Sequence, residues 1–518
     1  MAIIDFYDQG WRINPRGPAF VVNERSYSFT EIGELSCRIA NGLLAAGFER
    51  EARGAVWAAN DAIAWTCTLG LWRAGMAWIP VNPRASADEN HYILDAFDCE
   101  AIFFQKSFAP YVDALRARLP KVKLWVCIDD EHGDAPSLAN WSQWHPVTRP
   151  DVDCAMDDVV AISPTGGTTG MPKGVMNTHR SLQAYMANFM IRVSYPADQP
   201  PVNLMAAPMT HTAGMLALPC SARGGTVIVL TKPDPALMLA SIAKHRVTEI
   251  FLPPTVIYRL LDIPAIRQCD FSSLRYLMYG AAPMSVEKLK QAIDVFGPVM
   301  MGGYGQTEAP GTISFLRPEE HFVDGKLAPD ERLSSVGRPS PMVRVEIFDD
   351  GNRPVAQGET GEICVRGDLV MKGYYKDPVK TAETIVDGWL HTGDVGHLDA
   401  EGYLHITDRK KDMIISGGFN VYPSEVEQVI SAHPAVQDCA VIGVPDDKWG
   451  EAVKAVVELN AGQTVTEEEL IALCKSKLGS VKAPKSIDFA DTLPRSTAGK
   501  VLKKELRKAY WAGRERII

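Results

Sequence analysis

The chain has 518 residues, of which 46% are hydrophobic and 22% charged, and its formal net charge is −10. At roughly 150 residues per domain this length predicts three or four domains, or fewer large ones, with ample material for a core. The composition excludes wholesale disorder, and the acidic balance argues against general nucleic-acid binding while leaving room for a local basic site. The ten cysteines include no CxxC pair. They fit a reduced, cytoplasmic protein better than a disulfide scaffold or a zinc module. Met1 to Arg12 carries no basic stretch followed by an apolar one, and no run of 18 apolar residues occurs. Neither a signal peptide nor an integral membrane segment is expected.

The first 160 residues alternate helix-like and strand-like segments. Thr30 is placed to cap a helix carrying Leu35, Ile39, Leu43 and Leu44 and ending near Gly47. Helix-like Leu69 to Gly75 precedes a short buried strand, Ala77 to Val81, and further strand-like runs follow at Thr226 to Leu230 and Val247 to Leu252. Ser285 is placed to cap a helix with Leu289, Ile293 and Phe296, closed by Gly297. This alternation predicts an α/β layer architecture.

The texture changes after about residue 340. Val343 to Phe348, Gly361 to Arg366 and Gly402 to Ile406 are short strand-like runs joined by Gly/Asp turns, which predict antiparallel hairpins. The last hundred residues read as a small α/β unit. Ser424 with Glu427, and Thr466 with Glu469, have capping-box spacing, and strand-like Cys439 to Val444 and Ala452 to Leu459 lie between them. From Lys411 onward there are 15 basic and 15 acidic residues, so the deficit of ten belongs to the first 410. The stretch from Arg495 holds 8 basic and 2 acidic residues. It reads either as a solvated basic helix or as an anion-handling element.

The strongest local feature is Ser163-Pro164-Thr165-Gly166-Gly167-Thr168-Thr169-Gly170-Met171-Pro172-Lys173-Gly174, after strand-like Val159 to Ile162. Glycines permit close backbone approach to an anion, threonine hydroxyls and free N–H groups donate, and Lys173 adds a mobile charge. Such a loop suits a polyphosphate. It is neither a Walker A loop nor a dinucleotide GxGxxG fingerprint.

This loop is followed in order by Tyr304-Gly305-Gln306-Thr307-Glu308, Thr392-Gly393-Asp394, Asp408-Arg409-Lys410-Lys411-Asp412 and Pro494-Arg495-Ser496-Thr497-Ala498-Gly499-Lys500. The series resembles the adenylate-forming superfamily, in particular its AMP-forming acyl-CoA synthetases, from Leu69–Pro83 to Lys500. The resemblance implies an α/β fold: a large N-terminal AMP-binding domain (1–410) of α/β subdomains plus a β-barrel-like subdomain, and a small mobile α+β cap (411–518) carrying the catalytic lysine. It implies two half-reactions, in which ATP and a carboxylic acid give an acyl-adenylate and pyrophosphate, and a thiol then displaces AMP.

The resemblance also implies site roles. Thr165, Gly166, Gly167, Thr168, Thr169 and Lys173 would hold the β- and γ-phosphates, with Gly166 standing where relatives usually have Ser or Thr. Gly280, Ala281, Ala282 and Pro283 would lie along the adenine and Tyr304 would cover its other face, with Gly305 and Gln306 beside it. Thr307 would bond the α-phosphate and Glu308 would hold Mg²⁺. Asp394 would accept both ribose hydroxyls, Arg409 would sit near ribose and phosphate, and Asn420 would reach the nucleotide. Lys500 would counter charge at the α-phosphate, and Lys411 would be the hinge about which the cap rotates. Gly417 and Gly418 would then flank the tunnel for the pantetheine arm of coenzyme A.

His211, within Ala207 to Gly214, would be the ring near the reacting carboxylate. The acid pocket would include His211, Pro254, Tyr279, Gly303 and Pro310. Acetate-specific relatives close the pocket with a tryptophan at the position of Gly303, so the glycine favours a medium-chain, long-chain or aromatic acid. Arg259 is the nearest cation for a second carboxylate and is placed on a helix surface. With no carrier domain after Lys500, the expected acceptor is free coenzyme A. A carrier-protein phosphopantetheine thiol is the alternative, a luciferase-like oxygenase is more distant, and a non-catalytic nucleotide binder is a third class. The expected partners are small molecules, with no nucleic acid and no membrane, and a homodimer is the assembly considered.

Overall fold

The computed structural model describes residues 1–165, 171–210, 212–446, 448–495 and 501–511. Two large sheets account for most of the first 340 residues. One has seven strands in the order Gly373–Tyr374, Lys173–Thr178, Val159–Thr165, Ala77–Pro80, Arg53–Trp57, Ala101–Phe104, Leu124–Cys127. Its last five strands run parallel, whereas Val159–Thr165, Lys173–Thr178 and Gly373–Tyr374 pair antiparallel. Parallel strands are buried on both faces, which explains unbroken apolar runs such as Ala77 to Pro80. Behind this sheet Trp65, Trp72 and Trp78 meet edge to face at 5.8–6.0 Å. The Trp72 indole N–H donates to Val160 O at 2.9 Å, so its polar atom is satisfied.

The other sheet has nine strands, ordered Arg338–Pro339, Ala309–Leu316, Met300–Gln306, Tyr276–Gly280, Glu249–Leu252, Val202–Met205, Thr226–Val229, Pro18–Val22, Arg25–Ser28. The six strands from Met300–Gln306 to Pro18–Val22 are parallel, and antiparallel strands close both edges. Beyond residue 340, Arg344–Phe348, Gly361–Arg366, Trp389–Leu398, Ile385–Val386 and Leu404–Arg409 form a five-stranded antiparallel sheet. Val345, Ile347, Ile363, Val365, Leu390 and Leu404 join the main core from it.

Past residue 412 the chain builds a separate core from Ile414, Val421, Val426, Ile430, Val441, Val453, Val457, Leu470 and neighbours. Its sheet pairs Val436–Asp446 with Gly450–Leu459, flanked by Ile414–Ser416, Phe419–Val421 and Ser486–Phe489. Helices Pro423–Ser431 and Glu467–Lys482 belong to this unit.

Three caps differ from the sequence reading; the first is Ser285, which holds the N-cap position of helix Val286–Phe296 but whose side chain makes no capping hydrogen bond. Helix Phe29–Ala45 is capped by Ser28, in a reciprocal box with Glu31. Thr30 instead bridges Pro15 O and the Trp11 indole. Ser424 and Glu427 make no capping box. The Ser424 N–H donates to Asp408 at 2.8 Å, and Glu427 accepts from Val441 N at 2.7 Å. Tertiary partners have taken both groups.

The basic stretch also has a definite place. Arg495 pairs with Asp438 at 2.8 Å and Glu458 at 3.2 Å. Lys503 pairs with Glu427 at 2.7 Å and Arg507 with Asp412 at 2.6 Å. Trp511 donates to Gly443 O at 2.9 Å. Three of its cations are thus matched to carboxylates of this unit and of Asp412.

Candidate active site

The cluster expected at the ribose is set by strand register. Trp389–Leu398 and Leu404–Arg409 pair so that Asp394 lies opposite Arg409. The Arg409 guanidinium sits 3.5 Å from one Asp394 oxygen. The Tyr304 hydroxyl, from strand Met300–Gln306, donates to the other at 2.6 Å. Burial, reinforced by the Asp394 carboxylate, pushes the Tyr304 phenol well above its ordinary pKa, so it remains a donor. Asp394 N–H donates to Thr392 Oγ1 at 3.1 Å and Gly393 N–H to Glu362 at 3.1 Å, which fixes the turn. Glu362 also lies 3.4 Å from Lys410 Nζ, tying this turn to the residue after Arg409. Gln306 reaches Thr392 O at 3.4 Å, closing the gap between the two motifs.

Asp408 does not face this cluster. Its carboxylate accepts from Arg409 N at 2.7 Å and Ser424 N at 2.8 Å, and burial raises its pKa.

The loop expected along adenine starts at Gly280, where a Cβ would meet Gly303 O at 2.6 Å. Ala281 follows in the left-handed region, with φ +66°. A non-glycine residue there carries strain of order 1–3 kcal/mol, a feature that clusters at ligand sites. Gly305 packs so that a Cβ would stand 2.5 Å from Gly311 N.

At the phosphate end, Thr165 and Lys173 are register partners at the mouth of the hairpin. Gly166, Gly167, Thr168 and Thr169 lie outside the described residues, as do His211 and Lys500. Lys173 Nζ sits over the Tyr374 ring, 4.5 Å from its centroid. The Tyr374 hydroxyl donates to Glu308 Oε1 at 2.9 Å. Burial and the Glu308 carboxylate push the Tyr374 phenol up as well. Thr307 O accepts from Asn177 at 3.3 Å.

No group of three or more His, Cys, Asp or Glu among the described residues is arranged to hold a metal. The expected ligand, Glu308, thus stands without a carboxylate cluster among the described residues. That fits Mg²⁺, which is bound through one or two carboxylates plus substrate phosphates rather than by an all-protein cage.

The acid-pocket residues divide. Tyr279 pairs with Gly302 and Gly280 with Gly303 in the parallel ladder, so Tyr279 and Gly303 face opposite sides of the sheet. The Tyr279 hydroxyl lies 3.1 Å from His321 Nε2 and above Gly302. A Cβ on Gly303 would meet the Phe315 ring at 3.4 Å, ordinary contact. Phe315 belongs to an apolar cluster with Phe189, Leu216, Met278 and Met301. Sequence reasoning missed this cluster; Phe315 lies opposite Gly303 in the antiparallel ladder. Pro254 is the buried first residue of helix Pro254–Leu261, Pro310 is half-buried, and Arg259 is exposed on that helix.

Beyond Lys411, which is exposed, Gly417 and Gly418 make a two-residue turn between Ile414–Ser416 and Phe419–Val421. Their φ values, +59° and +83°, favour glycine on conformational grounds. A Cβ on Gly417 would strike the Trp449 ring at 2.5 Å, whereas Gly418 faces open space. Asn420 is exposed beside them.

The buried Tyr304–Asp394 pair with Arg409 at its exposed edge, and the Lys173–Tyr374–Glu308 chain, draw on strands of the two α/β sheets and the antiparallel sheet. This arrangement defines a nucleotide-activating enzyme. A profile described as AMP-binding enzyme matches residues 8–375, and one described as the AMP-binding enzyme C-terminal domain matches residues 425–500. The chain belongs to this family. It is 41% identical over 459 residues to a medium/long-chain-fatty-acid–CoA ligase, FadD8, of Mycobacterium tuberculosis, covering 85% of this chain and 78% of that one. It is 37% identical over 506 residues to a feruloyl-CoA synthase of an Amycolatopsis species, covering 96% and 97%. Its fold matches the amide bond synthetase McbA of Marinactinospora thermotolerans with a TM-score of 0.89 at 31% identity, covering 98% of this chain and all of that one.

Proposed function

We propose that this chain is an ATP-dependent carboxylic acid–CoA ligase that forms AMP. A carboxylate oxygen attacks the α-phosphorus of ATP and pyrophosphate leaves. The thiol of coenzyme A then attacks the acyl carbon of the adenylate, and AMP leaves with the electron pair of the broken C–O bond. Activation is needed because a carboxylate has no good leaving group, whereas AMP is one.

The observation that carries this reading is the Tyr304–Asp394–Arg409 cluster. A carboxylate accepts from several donors at once, so Asp394 can keep Tyr304 and still take ribose hydroxyls. Arg409 supplies a permanent cation beside it. Lys173 and Glu308 serve the polyphosphate, Glu308 as the Mg²⁺ ligand. When bound, Mg²⁺ supplies charge neutralisation on the phosphate oxygens. Lys500 stabilises the charge developing at the α-phosphate and His211 adjoins the reacting carboxylate. Residues 411–518 then rotate about Lys411 and bring Gly417 and Gly418 to the acyl-adenylate.

The acid is apolar. Gly303 faces the apolar cluster of Phe315, Met278 and Met301, and the two CoA-ligase relatives are named for fatty and aromatic acids. Ten free thiols, most of them buried, suit the reducing cytoplasm, where ATP and coenzyme A are available. The test is pyrophosphate release from ATP with a panel of aliphatic and aromatic acids, with and without coenzyme A. Release with an acid, and thioester formation only when coenzyme A is present, is the expected result. Thioester formation on a carrier protein but not on coenzyme A would replace the acceptor, and no release with any acid would overturn the reading.

A further inference from the structure

Tyr374 occurs in no motif that the sequence reading used, yet it touches both ends of the phosphate site. Its hydroxyl donates to Glu308 at 2.9 Å, and its ring lies under Lys173 Nζ at 4.5 Å. Three contacts fix its backbone. Gly373 and Tyr374 pair with Met176 and Val175, extending the hairpin that Lys173 begins. Tyr375 N–H donates to Gly174 O at 2.7 Å, and Tyr374 N–H to Thr381 Oγ1 at 2.9 Å. Gly373 packs against Thr381 so closely that a Cβ would stand 2.7 Å from it. The side chain is itself only 6% exposed.

A side chain locked in this way sets the positions of whatever it touches. Glu308 and Lys173 come from segments 135 positions apart in sequence, and Tyr374 holds the first by a hydrogen bond to a charged group and the second by a cation–π contact. We propose that Tyr374 is a positioning residue that presets the Mg²⁺-binding carboxylate and the phosphate-loop lysine relative to one another. The role rests on the reading of Glu308 and Lys173 given above.

The two contacts can be separated. Tyr374→Phe keeps the ring under Lys173 and removes the hydroxyl from Glu308; Tyr374→Leu removes both. Equilibrium binding of ATP, measured calorimetrically across a Mg²⁺ series and in its absence, reads each contact without turnover. For Tyr374→Phe the half-saturating Mg²⁺ concentration is expected to rise about tenfold, with metal-free ATP affinity within about twofold of wild type. For Tyr374→Leu metal-free affinity is expected to fall as well, by about threefold to tenfold. A Phe variant with wild-type Mg²⁺ dependence, or Phe and Leu variants that behave alike, would overturn the role of Tyr374 while leaving the site intact. Wild-type protein that binds no ATP would overturn the site reading itself. Thermal midpoints within a few degrees of wild type distinguish mispositioning from loss of fold.

Discussion

The ribose end of the site and the glycine turn of the C-terminal unit are built on opposite plans. Tyr304 and Asp394 are about nine-tenths buried, come from different strands and hold each other through charged hydrogen bonds. Around Gly417 and Gly418, by contrast, Phe419 is 60% exposed, Trp449 40% and Ile415 38%. One region has its chemistry in side chains fixed by partners. The other offers backbone ringed by exposed apolar side chains. The first has the preorganisation that nucleotide activation requires; the second has the exposed apolar character that the proposed rotation of the C-terminal unit would use.

If this contrast is functional, the two half-reactions can be broken separately. The largest effect is expected for Lys500→Ala, a loss of adenylation by a factor of about a hundred or more, with thioester formation from supplied acyl-adenylate retained. Equal loss of both halves, by pyrophosphate release and thioester assays, would erase the distinction. Gly418→Leu is expected to do the reverse. Its φ of +83° imposes about 1–2 kcal/mol of local strain on leucine, and the side chain would occupy the open space beside the turn. Adenylation should stay within about twofold while thioester formation falls at least about tenfold; unchanged coenzyme A turnover would remove the tunnel assignment.

Gly303→Trp sharpens the picture of the body. A Cβ at Gly303 would stand 3.4 Å from the Phe315 ring, so an indole there is aimed at the apolar cluster around Phe315. Activity is expected to shift from long or aromatic acids toward acetate, as read by kcat/KM across the panel. An unchanged acid preference would place the pocket elsewhere.

The smallest effect concerns acid. Burial lowers the His179 pKa to about 4, and its Nδ1 accepts the Ile3 N–H at 3.0 Å, as only a neutral ring can. Because the folded pKa lies below the unfolded value, the associated stability is complete above about pH 6.5 and is lost as pH falls toward 4, up to about 3 kcal/mol. Acid should therefore loosen the N-terminal helix Ile4–Ile13 of the body, whose Ile3 N–H bonds the neutral ring. Denaturant melts at pH 7 and pH 4.5 would check this, since His179→Gln should reduce the difference, with His321 and His397, also shifted down by burial, keeping part of it.

Much of the site was legible because its residues occur in short, ordered motifs. Tyr304, Asp394 and Arg409 came from three such stretches, and strand register brings them together. The α/β alternation and the later hairpins were likewise local signals. What stayed hidden depends on contacts between distant segments. Tyr374 meets Glu308 across 66 positions and Glu362 meets Gly393 across 31. The face occupied by Tyr279 was hidden for another reason: strand parity decides it, and a one-residue difference sends Tyr279 and Gly303 to opposite sides. Ser424 failed as a cap because a tertiary partner took it, whereas Thr30 lost the cap to the neighbouring Ser28.

The packing of Gly417 against the Trp449 ring has a practical consequence. Of the eleven tryptophans, only Trp449 and Trp511 follow Lys411, and Trp511 is anchored to Gly443 by its indole. Trp449 is the half-wet indole, seated beside the turn that rotation would carry inward. Its emission is a built-in optical reporter: a blue shift when adenylate and thiol analogue are added, absent in Trp449→Phe, would time the swing without any attached dye.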